Sequence, residues 1–244
     1  MMMFAGSAVT TAQTRLIAHR GYWKTSPETA QNSLQSLANA QKLGVYGSEF
    51  DVRMSKDGKL VVNHDEHHGK MEISETDYRT LKKLKLSNGE TFPTLKSYLK
   101  AGRKKPSVKL IVELKPAKTK LQEDEIVQKT LALVEKLNLQ QQCEFISFSK
   151  NMCLEIERLR PQYTVQYLNG DLSPQEIKDM KIDGVDYHYN VFLQKHPDWL
   201  AQAKQLGLIT NTWTVDNPEV YQKLKEQGID FITTNLPETI NQTK

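Results

Sequence analysis

Residues 198–235 read DWLAQAKQLGLITNTWTVDNPEVYQKLKEQGIDFITTN, one theme stated twice. The amphipathic run DWLAQAKQLG ends at Gly207 and passes at once into the β-type run LITNTWTV (208–215). A second helical run, PEVYQKLKEQG, ends at Gly228 and leads into IDFITTN (229–235). Glycine belongs just past a helix because leaving the last turn calls for left-handed backbone. Gly44 repeats the device near the start of the chain. Alternation of this kind makes successive strands parallel, since two parallel neighbours need a crossover between them and a helix supplies it.

Working outward, the same alternation covers almost the whole sequence. Strand candidates are LIAHR (16–20), GSEFDVRM (47–54), KLIVEL (109–114), CEFISFS (143–149), TVQYLN (164–169) and GVDYHY (184–189). Helical patterns such as SLQSLANAQKLG, DEIVQKTLALVEKL and NMCLEIERL lie between them. Eight such units in 244 residues fit an α/β protein of the (β/α)₈ TIM-barrel type. The alternative is a doubly wound open sheet, but no glycine-rich phosphate loop follows the first strand. One irregularity interrupts the rhythm. DGKLVVNHD (57–65) adds a turn and a strand directly after the second run, and a polar segment then delays the helix PTLKSYLKAG. This predicts a small insertion, about 57–93, on the face where barrel active sites form. No Pro/Gly/Ser-rich linker divides the chain, so residues 14–244 are read as one domain.

Composition narrows the function less than the motifs do. Net charge is only +4, and the lysine clusters at 82–85 and 103–105 have no interleaved aromatics, so nucleic acid is not an expected partner. Cys143 and Cys153 match neither a disulfide framework nor a zinc spacing and read as small core residues. The opening MMMFAGSAVTTAQ is apolar, then small, with Thr10 and Ala12 placed like a cleavage signal. Residues 1–13 are therefore read as the remnant of a secretory signal and the protein as periplasmic or secreted; the alternative is a cytoplasmic protein with a loosely packed N-terminus. Nothing later approaches the run of about 18 apolar residues that membrane insertion requires.

The chemistry-bearing residues cluster at strand ends. Glu49 and Asp51 are two apart in SEFDV and share one face of their strand, leaving Phe50 and Val52 for the other. Glu113, at the end of LIVEL, is likewise in phase with Lys115. Three carboxylates converging inside a barrel repel one another unless a cation compensates, and an all-oxygen set suits Mg²⁺ or Ca²⁺ rather than zinc. The alternative for Glu49 and Asp51 is a salt-bridged pair with a lysine. His19 and His64 flank this cluster as an acid–base pair, while Arg20 and Lys115 offer positive charge to a bound anion. His19 and Arg20 are adjacent, so the backbone must turn out of the strand there, and Gly21 permits it. HDEHH (64–68) is a rival zinc or manganese site, although immediate neighbours rarely converge on one ion. Tyr187, Tyr189 and Trp213 fall at later strand ends, where they either wall a substrate pocket or pack as ordinary barrel residues.

These elements together resemble one family. HRG, a polar segment ending in NS, GSEFDVRMSKDGKLVVNHD, VELK, SFS, NTWTVD and GIDFITTNLPE are similar, in order and spacing, to the glycerophosphodiester phosphodiesterases over Leu16 to Glu238. The resemblance implies a (β/α)₈ barrel with an insertion after the second strand. It implies a divalent cation on Glu49, Asp51 and Glu113, acid–base roles for His19 and His64, and phosphate contacts from Arg20 and Lys115. The implied substrates are small glycerophosphodiesters, the deacylated phospholipids, cleaved to sn-glycerol 3-phosphate and an alcohol. A related activity on lysophospholipids or intact lipids is the alternative, and a catalytically silent anion-binding barrel a more distant one. Two positions depart from the family pattern: Gln31 stands where a glutamate is usual, and Asn235 where an aspartate is usual. Glu28 is given no metal role, because its position is shifted.

Overall fold

The protein is described by a computed structural model that places residues 13–241. The expected signal remnant thus lies almost wholly outside the described residues. Eight parallel strands form the barrel: β1 (Arg15–Ala18), β2 (Gly47–Met54), β3 (Lys109–Leu114), β4 (Cys143–Ser147), β5 (Val165–Tyr167), β6 (Gly184–His188), β7 (Ile209–Trp213) and β8 (Phe231–Thr234). Each strand pairs with the next in parallel, and β1 pairs with both β2 and β8, which closes the cylinder. One helix follows each strand or its loop: α1 (Leu34–Leu43), α2 (Leu95–Gly102), α3 (Lys120–Lys136), α4 (Lys150–Leu159), α5 (Pro174–Asp179), α6 (Trp199–Gln205), α7 (Pro218–Glu226) and α8 (Pro237–Asn241). The fold is a TIM barrel.

Local chemistry explains where these helices begin. The side chains of Ser33, Thr94, Ser149 and Ser173 accept hydrogen bonds from backbone N–H groups of the first turns of α1, α2, α4 and α5. Those N–H groups have no partner inside the helix, and a capping hydroxyl satisfies one of them.

The pleat sorts side chains into two layers. Phe50, Val52, Val112 and Leu114 point outward and pack with Leu37, Tyr98 and Leu99 in the shell between barrel and helices. Ile17, Ile111, Ile146, Leu168 and Phe231 point inward and fill the barrel itself. The apolar plug leaves the C-terminal ends of the strands to carry polar groups, the division seen in barrels of this type.

The insertion after β2 starts with a strand, Leu60–Val62, that runs antiparallel along the end of β2, pairing Val52 with Val62 and Met54 with Leu60. A two-stranded hairpin (His67–His68 with Met71–Glu72) and a short helix (Tyr78–Leu81) follow. The segment has a small core of its own in Ile73, Leu81, Leu86 and Phe92. Its antiparallel strand carries the chain back to the barrel mouth and delivers His64 there, where the Asn63 N–H bonds the Asp51 carbonyl.

Candidate active site

Glu49, Asp51 and Glu113 meet at the mouth, each almost completely buried, with one oxygen from each lying within 4.8 Å of the others. Strand register causes the meeting: Asp51 on β2 sits directly beside Glu113 on β3, and Glu49 is one pleat below. The Lys115 ammonium lies 2.8 Å from Asp51 Oδ1 and 2.6 Å from Glu113 Oε1. The ammonium thus bridges Asp51 and Glu113 at ion-pair distance, whereas Glu49 Oε1 has no hydrogen-bond partner. Glu49 Oε2 accepts from the Arg20 backbone N–H at 2.8 Å, and Asp51 Oδ2 accepts from Asn32 Nδ2 at 2.7 Å.

Electrostatics divides the three carboxylates. Burial, reinforced by the charges of Asp51 and Glu113, raises Glu49 well above the usual carboxylate range. Burial and Asp51 push Glu113 up to about 8, against the pull of Lys115. Burial acts on Asp51 in the same sense, but Lys115, His64 and Arg20 together override it and hold Asp51 well below its ordinary value. Three buried carboxylates cannot all ionise with one ammonium between them. An all-oxygen donor set with an orphaned buried oxygen fits a hard divalent cation, which would supply the missing charge.

Arg20 and Gly21 take positive φ, +56° and +76°, and turn the chain out of β1 as the HRG reading requires. A Cβ on Gly21 would collide with Ser36 of α1. The turn aims Arg20 at the cluster, with Nε 3.8 Å from Asp51 Oδ2, while Nη1 donates to Gln31 Oε1 at 2.6 Å. Gln31 therefore holds the guanidinium without neutralising it. Glu28 is exposed and takes no part.

His19 is held from the opposite side of the chain. Its Nδ1 lies 2.8 Å from Asn235 Oδ1, which also accepts from Trp23 Nε1 at 3.1 Å, while Asn235 Nδ2 donates to Asp216 Oδ2 at 2.7 Å. These partners fix the amide orientation. Its oxygen faces the imidazole, so the neutral ring carries its proton on Nδ1 and leaves Nε2 as an acceptor. That nitrogen lies 4.0 Å from Glu49 Oε2. Burial, then Arg20, lowers the His19 pKa to about 4. His64 is more open, with Nδ1 2.7 Å from Asp65 Oδ1. Burial lowers its pKa too, while Asp51 and Asp65 act against the shift.

HDEHH does not assemble as a metal site among the described residues. His68 packs edge-on against Phe92, with ring centroids 4.9 Å apart, and His67 lies on the hairpin. The later aromatics need one correction. Tyr187 does not face the pocket: its ring is fully buried in the outer shell, tilted against Trp199, and its hydroxyl donates to the Leu172 carbonyl at 2.7 Å. The pleat of β6 turns Val185 and Tyr187 outward and Asp186 and His188 inward. Tyr189 is half-buried and stacks on His188 at 4.3 Å. Trp213 is inward, edge-on to His188 at 5.2 Å and to Phe148 at 5.5 Å. Phe148, Trp213 and His188 thus form a contiguous ring cluster at the mouth that begins beside Lys115, whose Nζ lies 5.8 Å from the Phe148 ring. Phe148 and His188 escaped the sequence reading, although the alternation that placed Glu49 and Asp51 also places them.

A TIM barrel with buried carboxylates, imidazoles and an Arg–Lys pair at its mouth has the parts of a barrel hydrolase acting on phosphate diesters. Comparison with known proteins makes this specific. The chain belongs to the glycerophosphoryl diester phosphodiesterase family, whose model matches residues 19–239. It is 27% identical to a glycerophosphodiester phosphodiesterase of Caldanaerobacter subterraneus subsp. tengcongensis, over 93% of this chain and 96% of that protein. The crystal structure of a glycerophosphodiester phosphodiesterase from Parabacteroides distasonis is 44% identical, with a TM-score of 0.93 over 96% of this chain and 97% of that one. An Oleispira antarctica phosphodiesterase, crystallised with the product sn-glycerol-3-phosphate, shares the fold at a TM-score of 0.81 and 24% identity, covering 94% and 96% of the two chains. The chain is thus an enzyme of the glycerophosphodiester phosphodiesterase class.

Proposed function

We propose that this protein hydrolyses glycerophosphodiesters derived from deacylated phospholipids, glycerophosphoethanolamine and glycerophosphocholine among them, to sn-glycerol 3-phosphate and an alcohol, with a divalent cation and two histidines. The observation that carries this reading is the buried Glu49–Asp51–Glu113 cluster, with His19 and His64 at its edge and Arg20 and Lys115 beside it. Glu49, Asp51 and Glu113 would hold Mg²⁺ or Ca²⁺, which when bound neutralises phosphate charge and polarises the phosphorus centre.

The chain's own residues supply the rest. Arg20 and Lys115 grip the non-bridging phosphate oxygens and stabilise the charge that builds on them. His19 is neutral at physiological pH with Nε2 unprotonated, so it acts as the base toward the attacking oxygen. That oxygen is either water directly or the neighbouring glycerol hydroxyl, whose cyclic phosphate product water then opens to glycerol 3-phosphate. As the new P–O bond forms, the bond to the departing alcohol breaks and His64 gives that oxygen a proton. Asp65, against His64 Nδ1, and Asp51 act against the lowering that burial imposes and so favour the imidazolium that this transfer requires. The test is release of glycerol 3-phosphate, followed with a coupled dehydrogenase. His19→Ala and His64→Ala should each lower kcat by roughly 10²–10⁴-fold. Wild-type rates from both variants, or no product from any diester, would overturn the reading.

A further inference from the structure

Lys115 and Arg20 both stand at the barrel mouth, but their charges are engaged differently. The Lys115 ammonium lies between carboxylates, 2.8 Å from Asp51 and 2.6 Å from Glu113. Arg20 has no such neighbour. The one carboxylate within 4.0 Å of it among the described residues is Asp51, with Oδ2 3.8 Å from Nε, and that buried Nε has no hydrogen-bond partner. The guanidinium instead bonds a neutral group, Nη1 donating to Gln31 Oε1 at 2.6 Å.

The chain around Gln31 fixes this arrangement. The Asn32 N–H donates to the Arg20 carbonyl at 3.0 Å, and the Ser36 hydroxyl donates to the same carbonyl at 3.1 Å. Asn32 Nδ2 in turn donates to Asp51 Oδ2 at 2.7 Å. The segment that opens α1 thus grips the Arg20 backbone, and Gln31 sets the direction of its side chain. An amide oxygen accepts a hydrogen bond as a carboxylate would, yet it leaves the positive charge of the guanidinium undiminished.

That charge matters because hydrolysis changes the charge of the bound phosphate. A diester carries one negative charge. The monoester left behind ionises a second time with a pKa of about 6, so at neutral pH it approaches a dianion. Coulomb attraction scales with the charge bound, so an uncompensated guanidinium favours the monoester.

Resting on the phosphodiesterase reading above, we infer that Gln31 is a positioning residue that sets the charge preference of the site. By directing Arg20 without neutralising it, Gln31 makes the site bind phosphate monoesters more tightly than the diesters it cleaves. Glycerol 3-phosphate is therefore retained after hydrolysis and inhibits further turnover.

The experiment measures the Kd of glycerol 3-phosphate by calorimetry with Mg²⁺ or Ca²⁺ present. It compares this with KM for glycerophosphoglycerol, whose two alcohol arms are uncharged. In the wild type the Kd should lie below KM. Gln31→Glu should raise the Kd at least about tenfold and KM by less, because the added charge acts almost twice on the dianion; the ratio Kd/KM should rise at least about threefold. Gln31→Leu removes the acceptor and adds no charge, so both constants should rise together with their ratio unchanged. Melting temperatures confirm folding. Three results overturn the role of Gln31 alone: a ratio unmoved by Gln31→Glu in the folded protein, a ratio moved equally by Gln31→Leu, or a wild type that binds glycerol 3-phosphate more weakly than the diester. Absence of product from every diester overturns the phosphodiesterase reading itself, and this inference with it.

Discussion

The two ends of the barrel both bury charge, but they treat it differently. At the N-terminal end the exposed Arg15 guanidinium packs over the adjoining rings of Tyr46 and Phe231, 4.1 and 4.4 Å from their centroids, beside the buried Glu144. Glu144 there accepts from the Tyr46 hydroxyl at 2.6 Å and pairs with Lys109 at 3.4 Å. At the C-terminal end Lys115 contacts two of three crowded carboxylates, Glu49 Oε1 has no hydrogen-bond partner, and two of the carboxyls are pushed above their ordinary range. Satisfied charge locks a structure; unsatisfied buried charge costs stability and persists where a ligand is to be bound. The contrast marks one end as scaffold and the other as site.

Substitutions can break or sharpen that contrast. The largest effect should come from Glu49→Gln. Glu49 is the proposed cation ligand facing His19, and its loss should lower kcat/KM by about 10³-fold or more, since charge stabilisation is commonly the largest catalytic contribution. In metal-free protein the same change relieves repulsion, so the melting temperature should hold or rise. A fall in melting temperature with activity retained would reverse the assignment.

The next effect concerns pH. In the proposed base role His19 is competent only when unprotonated, and its pKa of about 4 means that protonation sets in only as pH falls toward that value. The acid limb of kcat/KM attributable to His19 should therefore lie near pH 4 rather than near 6.5, the unperturbed imidazole value. Asn235→Asp sets a carboxylate against Nδ1, which raises the imidazole pKa and should move this limb to higher pH. A pH–rate profile of both proteins checks the direction, and an unmoved limb would remove His19 from the base role. The smallest effect belongs to the scaffold end. Glu144→Gln should leave kcat unchanged and cost about 1 kcal/mol in a denaturant titration, the scale of one weakened polar contact.

Much of this architecture is legible in the residues themselves. GSEFDVRM and KLIVEL coincide with β2 and β3 because alternation of charged and apolar side chains sets both the pleat and its phase. The same rule gathers Glu49, Asp51, Glu113 and Lys115 from the sequence alone. In GVDYHY the same alternation makes Asp186 and His188 the inward set, while the conspicuous tyrosine Tyr187 faces the outer shell. The short helices α5 and α8 escaped as well, since five or six residues carry too little periodicity to stand out. The His19–Asn235 contact spans 216 positions, and closure of the barrel, not any local pattern, brings its partners together.

One measurement bears most directly on the division between a paired scaffold and an unpaired site. Glycerol 3-phosphate release should be followed after chelation with EDTA and again after Mg²⁺ or Ca²⁺ is restored. Release should collapse with EDTA and recover with the added ion, and the melting temperature should fall on chelation and recover with it, as loss of a ligand bound to the folded state requires. A rate indifferent to EDTA would show that the carboxylates at the barrel mouth serve structure rather than catalysis.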